Sequence, residues 1–183
     1  MLVKETKAKP QSNLDFRLMS LLFKFRDFIK PRIKVLDEIG IKEGCHVLDY
    51  GCGPRSYIVP LTELVGESGK IYALDVHPLA IQAVQRLAAK KGMTNVQTIL
   101  SDCETGLPPD SVNVVLLYDI LHELNDPNRV LVELHRIMKL EGTLSVSDHH
   151  LKQNEILSKV TSEGLFKPSA KGRITYSFSK KGH

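Results

Sequence analysis

From Gly44 onward the chain alternates short apolar runs with amphipathic stretches, and that alternation narrows its possible folds more than any other feature. The apolar runs predict strands at 46–50, 70–75, 95–100, 112–118 and 142–148. Helices are expected at about 56–65, 78–91, 127–139 and 152–163. A β-α-β rhythm of this kind gives a doubly wound α/β fold, with a parallel sheet, helices on both faces and right-handed crossovers. The tail leaves the rhythm. Gly164 to Ser169 and Arg173 to Ser179 flank Ala170-Lys171-Gly172, a hairpin signal that adds an antiparallel pair and brings the sheet to seven strands.

Residues 1–43 precede the alternation and read as an N-terminal tail and helical lid, with 44–183 as the ligand-binding part of one structural domain. Residues 1–12 are polar. From a cap at Asn13 to about Lys30, Leu14, Leu18, Leu21, Leu22, Phe25, Phe28 and Ile29 recur at three- and four-residue steps, an amphipathic helix. Phe16 and Phe23 fall off that stripe, which leaves packing against the domain, a lid over a substrate or a surface membrane contact open. A short helix is expected after Pro31, ending at Gly40.

At 183 residues the chain can bury a full core without metals or disulfides. Cys45, Cys52 and Cys103 are odd in number and lack metal-ligand spacing, which suits a reducing, cytoplasmic location. No signal peptide or spanning helix is expected, since Lys24 and Arg26 interrupt the most apolar early stretch. The net charge of +4 divides into about +4 over 1–43, −5 over 44–150 and +5 over 151–183. The basic residues are dispersed and no aromatic stacking platform accompanies them, which argues for a solvated surface over a nucleic-acid footprint.

The stretch Val47-Leu48-Asp49-Tyr50-Gly51-Cys52-Gly53 reads as a buried strand breaking into a tight turn before the next helix. Glycines fit where backbone must pass close to a ligand or take positive φ. The third glycine of a dinucleotide fingerprint is replaced by Ser56, and the Gly-Lys-Ser/Thr of a phosphate loop is missing. Something other than a pyrophosphate is expected to lie on this turn.

The Asp-x-Gly-x-Gly pattern at Asp49–Gly53 resembles the first motif of the class I S-adenosylmethionine-dependent methyltransferases. Ser101 to Pro108 is similar to that family's adenine-binding segment, and Val112 to Leu124 to its fourth motif. Together they cover roughly residues 32 to 150, and the small-molecule branch of quinone biosynthesis and arsenite methylation is the nearest in kind. The resemblance implies a Rossmann-like fold and S-adenosylmethionine as cofactor. Asp49, with Tyr50, Gly51 and Gly53, would face its cationic end. Asp75 would accept from the ribose hydroxyls, with Val76 beside it, although Asp75 also reads as a helix cap before Pro78. Asp102 would accept from the exocyclic amine and the Cys103 backbone N–H would donate to the ring. Leu117 and Tyr118 would flank the methionine portion. Two departures stand out: Arg55 in the glycine loop, which either binds the cofactor's carboxylate or narrows the pocket, and Asn113 where an acid is usual.

A general base is required only for an acceptor that is protonated at neutral pH. His122 and His149, with Asp148 and His150 beside the latter, are the candidates, against the alternatives of His122 capping the next helix and His149 and His150 being plain loop residues. A metal site is not expected from Asp148, His149 and His150, because adjacent side chains diverge. Arsenite chemistry is disfavoured, since Cys45 falls at the wrong end of its strand. The expected function is methyl transfer to a small molecule. Methylation of RNA or protein is the first alternative; a non-catalytic cofactor-binding subunit assisting a partner is the second.

Overall fold

A computed structural model describes residues 33–53 and 57–182. Residues 1–32 of the expected tail and helical lid, with the helix at 13–30, and Pro54-Arg55-Ser56 lie outside the described residues. Seven strands form one sheet: β1 (His46–Tyr50), β2 (Lys70–Asp75), β3 (Val96–Leu100), β4 (Val112–Tyr118), β5 (Met138–Ser147), β6 (Phe166–Lys171) and β7 (Tyr176–Lys180). The order is β3-β2-β1-β4-β5-β7-β6, with β1 to β5 mutually parallel and β7 antiparallel to both its neighbours. The chain runs outward from β1 to β3, then returns to the other side of β1 at β4. That reversal creates the switch point at which open α/β sheets bind ligands.

Among the described residues the helices are α1 (Ile33–Leu36), α2 (Ile58–Val65), α3 (Pro78–Lys91), α4 (Pro127–Ile137) and α5 (Gln153–Thr161). Side chains alternate across each strand, so the two faces bury separate sets. Leu48, Leu117, Val146 and Phe178 pack on one face with Leu131 and Leu134 of α4. Val47, Ile71, Leu116 and Tyr118 pack on the other with Leu61 of α2 and Val84 of α3. Asn113 ties three strands at the opposite end from the switch-point crevice: its Oδ1 accepts from the His46 N–H at 3.0 Å and from Lys139 Nζ at 3.2 Å.

Three boundaries differ from expectation. The helix after Pro31 stops at Leu36, where the chain turns and Ile39 N–H donates to the Leu36 carbonyl. α4 ends at Ile137 and β5 begins at once with the fully buried Met138, which pairs with Val112 across a bulge. Apolar burial there outweighs helix propensity, and Gly142 leaves the room that Met138 fills. The hairpin turn lies at 172–175, closed by Gly172 N–H to the Thr175 carbonyl, and not at Ala170–Gly172. Glu38 fixes it, accepting from Thr175 Oγ1 at 2.6 Å and filling the space a Cβ on Gly172 would need.

Candidate active site

The glycine turn leaves β1 with two residues in the left-handed region, Gly51 at φ 74° and Gly53 at φ 50°. Backbone N–H groups of Gly51 and Cys52 both donate to the Leu74 carbonyl, fastening the turn to β2. A Cβ on Gly51 would lie 2.9 Å from Ile120 Cγ1, so this glycine makes room for the loop after β4 and not for a ligand. At Gly53 the nearest atom to such a Cβ is 3.9 Å away among the described residues, so none of them crowds that side of the turn.

Asp75 ends β2, 9% exposed. Its Oδ2 accepts from Gly53 N–H at 2.8 Å and its Oδ1 from His77 N–H at 2.7 Å. Burial raises its pKa above the ordinary carboxylate value, against the lowering effect of those two N–H donors. The cap of α3 is His77, whose Nδ1 accepts from Leu79 N–H at 3.1 Å, so Asp75 is not the cap. The Val76 N–H acts on this carboxylate as well, and a carboxylate has about four lone-pair sites, which leaves room for a further donor. Two side chains beside it are apolar yet exposed: Val76 at 39%, and Leu100, the register partner of Asp75, at 57%. A buried carboxylate flanked by exposed apolar side chains and a glycine turn suits an adenosyl group, which brings ribose hydroxyls and an apolar ring face.

The segment after β3 joins the same end of the sheet. Tyr50 Oη donates to the Asp102 carbonyl at 2.7 Å, and burial raises the Tyr50 pKa. Asp102 is exposed, whereas Cys103 is buried with its N–H directed to Ser101 Oγ at 3.2 Å. Asp49 is buried at the end of β1. Asp49, Asp75 and Asp102 therefore lie at the carboxyl ends of three neighbouring strands, joined through Gly53 and Tyr50. Leu117 is fully buried among core side chains, and Tyr118 packs edge-on against Tyr57 while its hydroxyl meets Ser145 Oγ at 2.8 Å.

One part of this region carried no recognisable motif. Glu133 on α4 accepts from Thr105 N–H at 2.9 Å and Thr105 Oγ1 at 2.6 Å, and pairs with Arg136 at 2.7 Å; Arg136 also donates to the Leu107 carbonyl. Burial alone would raise the Glu133 pKa, but Arg136 and Thr105 outweigh it and bring it to about 2. These contacts fasten the segment after β3 to a helix some 30 residues away in sequence.

Across the switch point, β4 and β5 bring the histidines together. His122 Nδ1 is 2.8 Å from Asp148 Oδ2, and His149 Nδ1 is 2.7 Å from Asp119 Oδ1. Burial pulls the Asp148 carboxyl up, yet the His122 side chain and the N–H groups of His150 and His122 hold it below the ordinary carboxylate range. α4 is capped by Asp126, which removes the reading of His122 as its cap. The rings of His149 and His150 lie close, with centroids 3.9 Å apart and planes tilted by 43°. Among the described residues no group of three His, Cys, Asp or Glu side chains is placed to hold a metal ion.

A family profile described as a methyltransferase domain matches residues 41–181. The chain belongs to the class I S-adenosylmethionine-dependent methyltransferase family. It is 29% identical over 125 residues to a demethylmenaquinone methyltransferase from Geobacillus stearothermophilus, covering 68% of this chain and 53% of that protein. A ubiquinone/menaquinone biosynthesis C-methyltransferase from a Marinomonas species is 24% identical over 134 residues, 72% of this chain and 53% of that protein. The chain thus spans about half the length of the curated relatives it matches. A solved S-adenosylmethionine-dependent methyltransferase from Aquifex aeolicus superposes with a TM-score of 0.73 at 26% identity, covering 88% of this chain and 96% of that one. No described helix is long and apolar enough to cross a membrane.

Proposed function

We propose that this protein transfers a methyl group from S-adenosylmethionine to a small-molecule acceptor. The supporting observation is the junction of glycine turn and β2 acid, in which Gly53 N–H rests on Asp75 at the switch point. In this reading Asp75 takes the ribose hydroxyls, Val76 and Leu100 offer apolar contact to the adenine, and the Asp102–Cys103 segment meets its edge. Asp49, Tyr50 and Gly51 shape the end of β1 beneath the donor, and Leu117 and Tyr118 hold the strand end beside it.

The bound cofactor would supply a methyl carbon already activated by its sulfonium, leaving the protein to align the acceptor and exclude water. His149 and His122 are the groups placed to accept a proton from the acceptor. The quinone-type relatives support a small molecule over RNA or protein.

Calorimetry with S-adenosylmethionine, followed by mass spectrometry of a panel of small acceptors, a bulk RNA and a peptide library, tests this reading. Cofactor binding with mass gain of 14 on small molecules alone is expected. No binding at millimolar cofactor would overturn it.

A further inference from the structure

Asp119 follows β4 and Asp148 follows β5, and each acid holds the histidine belonging to the other loop. Asp119 Oδ1 accepts from both the backbone N–H and Nδ1 of His149, at 3.1 and 2.7 Å. Asp148 Oδ2 accepts from both the N–H and Nδ1 of His122, at 3.1 and 2.8 Å. Asp148 Oδ1 takes His150 N–H at 3.0 Å, and the His150 ring lies 4.2 Å from that of His122 and 3.9 Å from that of His149. Asp119 adopts φ 54°, a conformation that non-glycine residues seldom take.

We propose that Asp119 and Asp148 are positioning residues for a crossed pair of imidazoles, and that the acceptor is a Brønsted acid: an aromatic or enolic hydroxyl compound that reacts as its oxyanion. This rests on the methyl-transfer reading and names its substrate class. An ionised carboxylate can only accept, so Nδ1 carries the hydrogen in each pair and the basic lone pair is on Nε2. Holding the backbone N–H and the ring of one residue on one oxygen fixes the ring's position as well as its tautomer. The two rings differ in access. The His149 side chain is 63% exposed, whereas that of His122 is 22% exposed, with Nε2 facing Glu123 at 3.6 Å.

His149 is therefore the ring that meets the acceptor. The acceptor's O–H bond breaks, its electron pair stays on oxygen, and the proton moves to His149 Nε2. The imidazolium is balanced by Asp119 and returns the proton to solvent through its exposed edge. His122, Asp148, Glu123 and His150 are the other titratable groups around it, and they set the local charge. A clasp serving only to join two loops would not require imidazole; any side-chain donor would do.

The test uses the full chain. Ring ¹⁵N shifts at pH 8 should show the Nδ1–H tautomer at His122 and His149. Asp119→Asn should disturb the tautomer of His149 alone, and Asp148→Asn that of His122 alone. With S-adenosylmethionine and phenols graded in acidity, Asp119→Asn should slow turnover about 10- to 100-fold on weakly acidic phenols and far less on a nitrophenol that is already ionised, with KM for the cofactor unchanged. Asp119→Glu should restore part of the loss. Equal losses on both phenols, or unchanged tautomers, would make the clasp merely structural. Methylation of thiols or tertiary amines without any hydroxyl acceptor would overturn the substrate class. Absence of cofactor binding would instead sink the methyl-transfer reading, with the tautomer result standing apart from it.

Discussion

The crevice has two halves built on different principles. On the β2–β3 side, the buried Asp75 accepts from backbone N–H groups, those of Gly53 and His77, and apolar side chains stand exposed beside it. On the β4–β5 side, contacts span 26 to 30 residues and join side chains that ionise. The first half offers backbone donors and apolar surface around one buried acid. The second is rich in groups able to exchange protons. A donor that arrives activated needs only the first, whereas an acceptor that must be ionised needs the other half.

If this division is right, variants in the two halves should separate affinity from rate. His149→Ala is expected to have the largest effect, slowing turnover on a hydroxyl acceptor by about 10²- to 10⁴-fold while leaving cofactor affinity within twofold, as read by steady-state kinetics beside calorimetry. Comparable loss of cofactor affinity would merge the halves. Gly51→Ala should cost about 2–4 kcal/mol of stability in denaturant unfolding, from left-handed strain and collision with Ile120. Gly53→Ala, which meets no close neighbour among the described residues, should cost only the conformational part, about 1–2 kcal/mol. Asp75→Ala should weaken cofactor binding by about 1.5–3 kcal/mol through lost charge-assisted hydrogen bonds, with an acceptor's KM little changed.

Acid titration supplies the smallest and most selective probe. Glu133 is held near pKa 2 when folded, below its ordinary value of 4.5, so its contribution to stability is full above about pH 5 and fades as pH falls toward 2. Solvent screening limits it to about 1–2 kcal/mol. Glu133→Gln should lower stability at pH 7 by that amount and flatten the change in stability between pH 5 and 3. Thermal melts across that range measure it. An unchanged pH profile would mean that the segment after β3 is held by other contacts.

The two halves also differ in how far the sequence discloses them. Asp49, Gly51, Gly53 and Asp75 sit at strand ends that hydrophobic periodicity already marks, and their spacing carries the family resemblance. The strands that carry them, 46–50 and 70–75, coincide with those that periodicity predicts for that reason. What periodicity misses is pairing across the sheet. That Asp119 faces His149 and Asp148 faces His122 follows only from β4 and β5 being neighbours in register, with Tyr118 opposite Ser147. Glu133 was equally hidden, since a lone acid on an amphipathic helix looks like a solvated position until Thr105 is brought to it. The early start of β5 reflects the same limit: Met138 is drawn into the sheet by a bulge that no local pattern announces.

The Ile120 side chain rests in the notch left by the missing side chain of Gly51. Ile120 is two residues from His122 and one from Asp119, so the glycine turn and the loop after β4 press on each other at one point. A ligand that shifted the turn would press on the loop through this one contact, and any change in affinity it produced there would be returned by the same factor in the other direction.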